Sequence, residues 1–174
     1  MEREENIQKR ASAYKLTNRI IFHSNSKTHK DLWIASEPYI TLPIKSPLPE
    51  IGKAIDYSLI ESKTDVDFPI DHEAIIDKLL LVSNKKTYRK IQQNSSCCYI
   101  SKSSSRIEIT PTHNGDTSGN EKGYYFIPSQ KNIIGWDSSL IIKSNHDVFF
   151  NRTGKNIVPV VPDSSHHSAR SRET

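Results

Sequence analysis

Only two cysteines occur in the 174 residues, Cys97 and Cys98, and they are neighbours. Adjacent residues on a strand point to opposite faces, so a disulfide between them is sterically awkward, and a metal site wants spaced ligands. A disulfide-rich secreted scaffold is therefore excluded, and the pair reads as two buried or half-buried thiols in a reducing compartment. Long apolar runs are missing too. Nothing approaches the ~18 apolar residues of a membrane span, and Met1-Glu2-Arg3-Glu4-Glu5 leads into no apolar run, which argues against a secretory signal. The six glycines are scattered, so there is neither a phosphate-cradling loop nor a collagen repeat. G-x-S-x-G, C-x-x-C and H-E-x-x-H are absent. Hydrophobic residues make up 34% of the chain, against roughly 45–50% apolar in ordinary domains. Mean hydropathy is −0.61. The length suits one domain, diluted by polar ends.

Charge is present in both signs and is sorted. The chain holds 24 Lys+Arg against 20 Asp+Glu, for a net charge of +4. Half of that excess lies in residues 151–174, where four bases face two acids. Between Glu61 and Asp77 stand Glu61, Asp65, Asp67, Asp71, Glu73 and Asp77 with Lys63 as the single base. From Lys78 to Arg106 there are seven bases, among them Lys85, Lys86, Arg89 and Lys90, and no acid. Such an asymmetry steers partners; the plainer account is two solvated faces lying against each other.

Residues 1–11 are charged and aperiodic and read as a mobile or weakly helical arm. Arg19–His23 suits a first strand, the small polar run Ser24–Thr28 a turn, and 32–42 a second strand in which Pro38 marks a bulge or an edge. Ser46-Pro47-Leu48-Pro49-Glu50 then opens a helix, with Ile51, Ala54, Ile55 and Leu59 on one face and an end near Ser62. Asp71 is a candidate N-cap for a second helix carrying Ile75, Ile76, Leu79, Leu80 and Val82, stopped at Asn84. Lys85–Gln93 suits a short third helix. From Ser96 the period becomes two: strands are expected over 96–102, 106–112, 123–128 and 131–136. Residues 140–150 suit a final helix or strand, and 153–174 read as a disordered tail. The expected fold class is α+β, a mainly antiparallel β-sheet packed by two or three helices, in a single domain spanning 12–152.

Positive signs of chemistry are few. The seven histidines form no ligand pattern, and His166-His167 sit in a Ser-rich end. Asp116, Ser118 and Asn120 imitate the start of a calcium loop, but its twelfth position is Ile127 rather than Glu. The sequons at Asn94 and Asn151 are chance matches in a chain without a signal. Tyr124, Tyr125 and Phe126 could stack bases, though at period two they read first as one core face and one half-exposed face. No cofactor, metal or catalytic residue is expected, and the protein is expected not to be an enzyme.

The succession of motifs is nonetheless familiar. Ala35-Ser36-Glu37-Pro38-Tyr39-Ile40 on a strand is followed by Ile51-Gly52-Lys53-Ala54-Ile55 with Leu59 and Ser62, then Pro69, then Lys86-Thr87-Tyr88. Ile107-Glu108-Ile109-Thr110-Pro111-Thr112 and Gly123-Tyr124-Tyr125 complete the order. Over roughly 14–150 this resembles the family of contact-dependent growth inhibition immunity proteins (CdiI). The resemblance implies a cytoplasmic, non-enzymatic protein that binds the C-terminal toxin domain of an exported CdiA-type protein, often a nuclease, and covers its active site. It carries over no binding residue, and the stretch after Asn151 departs from the family pattern. The acidic block Glu61, Asp65, Asp67, Asp71, Glu73 and Asp77 would suit a basic nuclease toxin, and Lys85, Lys86, Arg89 and Lys90 an acidic one. Neither a membrane nor a nucleic acid is an expected partner. The alternative is a small basic nucleic-acid-binding domain, resting on a pI near 9.0, the Lys85–Lys90 cluster and the Tyr124–Phe126 aromatics.

Overall fold

Seven residues read as the end of an arm and its margin, Lys9–Lys15, form a strand, β1, and it lies in the middle of the sheet. The structure, a computed structural model, describes residues 8–68, 72–104, 106–115 and 123–135. A tight turn, closed by the Leu16 N–H donating to the Arg19 carbonyl at 2.9 Å, joins β1 to β2 (Arg19–Lys27). The sequence has little hydrophobicity to announce β1. Ala11 and Ala13 are fully buried because they meet a helix, and Ser12 is buried because it accepts from the Asn25 side chain on β2 at 2.8 Å.

The expected turn at Ser24–Thr28 is instead strand. β2 continues to Lys27, and the turn falls at Thr28–Leu32, where Asp31 takes a positive φ of 62° and pairs with Lys27 at 2.6 Å. Small polar residues can be strand here because each finds a partner. Ser24 donates to the Ser58 carbonyl, Asn25 to Ser12, and Ser26 exchanges a hydroxyl bond with Ser36 at 2.8 Å. β3 (Trp33–Pro43) pairs antiparallel with β2 and forms one edge. Its register jumps from His23↔Tyr39 to Ser24↔Ser36, so Pro38 does sit at a bulge on an edge strand.

Three helices follow: α1 (Leu48–Ile60), α2 (His72–Ser83) and α3 (Tyr88–Gln93). α1 opens after Pro47 and buries Ile51, Ala54, Ile55, Ser58 and Leu59, the face its spacing predicts. α2 ends at Asn84, whose φ of 54° stops the helix; its anticipated cap, Asp71, lies outside the described residues. α3 starts later than expected, at Tyr88, because the Thr87 hydroxyl accepts the Lys90 N–H at 3.3 Å and makes Thr87 the cap. The remaining strands are β4 (Ser96–Lys102), β5 (Arg106–Asn114), β6 (Tyr124–Phe126) and β7 (Asn132–Gly135). Gly123, at φ 119°, leads into β6 in a conformation that side-chain-bearing residues rarely adopt. A 3₁₀ turn, Pro128–Gln130, separates β6 from β7.

The sheet order is β3-β2-β1-β4-β5-β6, all pairs antiparallel, with β7 on β5 as well. β6 pairs the second half of β5 (112–114) and β7 the first half (106–109), so the two share one edge of it in tandem. One face of the sheet packs on α1 through Ala11, Ala13, Ile20, Phe22, Cys98, Ile100, Ile107 and Ile109. The opposite face packs on α2 and α3 through Tyr14, Leu16, Ile21 and Cys97 against Leu79 and Ile91. The class is therefore α+β, with a mainly antiparallel sheet and, among the described residues, three helices. Residues 1–7, the 140–150 segment and the 153–174 tail lie outside the described residues.

Candidate functional site

Alternation and strand order together build a row of side chains that no local reading contains. Tyr39 lies opposite His23, His23 opposite Ser12, and Ser12 opposite Tyr99, so β3, β2, β1 and β4 each contribute one residue to a line across the α2 and α3 face. The next row brings Ala35, Asn25 and Arg10 together on that face. Ile75, Ile76 and Leu79 of α2, Tyr88 of α3 and Phe126 of β6 complete the walls of a cleft of about 480 Å³.

The cleft is aromatic with a polar floor. The Tyr14 and His23 rings stack at 5.7 Å, His23 meets Tyr39 at 5.4 Å, and Tyr99 meets Phe126 at 4.6 Å. His23 is 3% exposed and its Nδ1 donates to the Ser24 carbonyl at 2.8 Å. That bond assigns the proton to Nδ1 and leaves Nε2 as a lone-pair acceptor. Burial pushes the His23 pKa down to about 4, so the ring is neutral at pH 7. Burial also pushes the Tyr39 phenol up to about 12, and those of Tyr14, Tyr88, Tyr99 and Tyr124 upward as well, so these rings keep their hydroxyl protons. The Arg10 guanidinium lies 4.3 Å from the centre of the Trp33 ring, a cation–π contact. One of its terminal nitrogens donates to Gln8 at 2.8 Å, and its buried Nε has no hydrogen-bond partner.

Glu61 and Asp67 line a groove of about 280 Å³ that also takes in Glu37, Lys63, Val66 and Ile75. Asp67 contacts the His29 ring at 2.9 Å, and Glu37 pairs with Lys78 at 2.7 Å. Asp65 sits in the exposed turn before Val66, with φ 56°. Glu73 and Asp77 lie on α2, both exposed, four residues apart and so on one helix face. Asp71 is outside the described residues. Of the basic cluster, Lys85 and Lys86 lie in the loop from α2 to α3, and Arg89 and Lys90 are exposed on α3. Of the three strand aromatics, Tyr124 is tied to the Ser95 hydroxyl at 2.6 Å and meets the Tyr14 ring edge-on, and Phe126 packs on Tyr99. Tyr125 is 44% exposed.

Cys97 and Cys98 are free and buried on opposite faces of β4, with thiol pKa values raised by burial, that of Cys97 to about 12. Unionised thiols are poor nucleophiles. Among the described residues no group of three or more His, Cys, Asp or Glu is placed to hold a metal ion, and no helix is long and apolar enough to cross a membrane.

The class defined by this arrangement is a three-layer α+β domain: an antiparallel sheet with one helix on one face and two on the other. No protein-family model matches the chain, and no curated protein matches it in sequence. Solved structures do share its fold. A protein of unknown function from Neisseria meningitidis superposes with a TM-score of 0.63 at 18% identity, over 82% of this chain and 93% of that one. A chain of a CdiA-CT/CdiI toxin and immunity complex from Yersinia pseudotuberculosis superposes with a TM-score of 0.58 at 15% identity, over 75% of this chain and 87% of that one. At such identities the likeness is one of fold.

Proposed function

We propose that this protein is a CdiI-type immunity protein: it binds the C-terminal toxin domain of an exported CdiA-type protein in the cytoplasm and blocks the toxin's active site, without chemistry of its own. The observation that carries this reading is the shared fold with a chain of the toxin and immunity complex over three quarters of the protein. The groove bearing Glu37, Glu61 and Asp67, with Phe68 and Ile60 exposed in the adjoining sequence, is the surface offered to the toxin. Carboxylates there imitate the phosphate charge that a nuclease must attract, and they give speed and selectivity to association.

The test is co-expression with the CdiA-type toxin domain proposed as its partner. Cells are expected to survive with this protein and to die without it; equal killing in both overturns the reading. Reversing two groove charges, Glu61→Lys with Asp67→Lys, is expected to slow association at low salt by at least tenfold, measured by surface plasmon resonance, with the difference shrinking at high salt. The Lys85–Lys90 cluster makes a second outcome measurable. RNA binding that weakens steeply with salt, without any toxin binding, would assign the function to the basic loop instead.

A further inference from the structure

We infer that the cleft between the sheet and α2–α3 is a small-molecule site for a flat aromatic carboxylate that carries an N–H or O–H donor. Its size is that of a ligand pocket, about 480 Å³, within the usual range of roughly 300–1,000 Å³. Charge selects the anion. Arg10 is permanently cationic, half-buried, and has no carboxylate partner among the described residues. Its guanidinium is held by Trp33, and its buried Nε is left with a proton and no acceptor. Orphaned donors of this kind are uncommon in native proteins; that atom is itself closed off, so an anionic oxygen meets the guanidinium's terminal nitrogens, one of which donates to Gln8. A single guanidinium with no lysine beside it in the cleft matches one negative charge, which favours a carboxylate over a phosphate dianion.

Shape selects the ring. Tyr14, Tyr39, Tyr99 and Phe126 present faces and edges on which a planar body packs. The donor requirement comes from His23. With Nδ1 spent on the Ser24 carbonyl, Nε2 is an acceptor with no hydrogen-bond partner among the described residues, in a ring that is 3% exposed. Beside it, the Asn25 amide donates to the Ser12 hydroxyl oxygen. A ligand N–H or O–H facing His23 and a carboxylate facing Arg10 would occupy both unfilled positions at once. This inference does not depend on the immunity reading, and its test contains no toxin.

Isothermal titration of the full-length chain at pH 7 tests it, with indole-5-carboxylate and 4-hydroxybenzoate as probes, benzoate as the analogue lacking the donor, and benzamidine and inorganic phosphate as counter-probes. Both donor-bearing carboxylates are expected to bind, benzoate at least fivefold more weakly, and the two counter-probes not at all. Arg10→Gln is expected to weaken the carboxylates at least tenfold. Ala35→Trp, which fills the cleft from a half-exposed position and leaves Arg10 in place, is expected to abolish binding. Circular dichroism melting confirms that each variant is folded. Absence of binding by either donor-bearing carboxylate, binding of benzamidine as tight as theirs, or unchanged affinity in a folded variant overturns the inference.

Discussion

Under α1 the sheet presents Ala11, Ala13, Ile20, Phe22, Cys98, Ile100, Ile107 and Ile109; under α2 and α3 the same strands present Ser12, Tyr14, Ile21, His23, Asn25, Cys97 and Tyr99. Neighbours in sequence thus face different surroundings. The first set is apolar, mostly small or branched with the single ring of Phe22, so the helix settles directly onto it and Ile55 and Leu59 are each only 1% exposed. The second mixes rings with polar groups, and a cavity remains between sheet and helices. A strand such as β1 serves both purposes by alternation: its alanines belong to the packed core, and its Arg10, Ser12 and Tyr14 belong to the cleft.

Phe22→Ala breaks the packed side. The ring is 1% exposed, and truncation there is expected to cost about 3–5 kcal/mol, read as a lowered urea midpoint. The cleft side responds to acid instead. His23 has an ordinary pKa of 6.5 and a folded value of about 4, so the unfolded chain takes up the proton first. Its contribution is complete above about pH 6.5, declines as the pH falls, and levels off below about 4, a loss of roughly 3 kcal/mol at most. Urea titrations between pH 7 and 4 should show a shallower decline for His23→Phe than for the parent, because the carboxylates that titrate in both cancel in the difference. Outside both faces the effect should be small. The Lys78–Glu37 pair is exposed at 53% and 60%, so Lys78→Ala is expected to change the unfolding free energy by no more than about 1 kcal/mol. A larger loss there would mean that the contrast between the two faces understates the edge of the molecule.

Periodic elements were readable from the residues. Ile51, Ala54, Ile55 and Leu59 announce α1, and the alternation of Cys98, Ile100, Ile107 and Ile109 announces β4 and β5. β1 was hidden because a central strand normally declares itself by apolar bulk, and this one uses alanine under a helix and serine paired to asparagine. Ser24, Asn25 and Ser26 resemble turn residues for the same reason: their partners, Ser58, Ser12 and Ser36, are between 10 and 34 residues away. Of the acidic run, Glu61 and Asp67 line a groove, and Glu73 and Asp77 are exposed on α2. The cleft is the opposite case. Its members come from β1, β2, β3, β4, β6, α2 and α3, and only strand order brings Arg10, His23, Tyr39 and Tyr99 together. No local signal marked Arg10, Ser12 and Tyr14 as a pocket floor, because residues 1–11 read as a charged, aperiodic arm.

Both margins of the sheet are interrupted. β3 changes register around Pro38, which has no N–H to offer, and the opposite margin is split into two strands of three and four residues by the turn at Pro128–Gln130. Neither presents a long uninterrupted ladder of open backbone donors and acceptors, the template on which foreign strands add and aggregates grow. Among the described residues, each margin of the sheet thus offers only short stretches for edge-to-edge pairing.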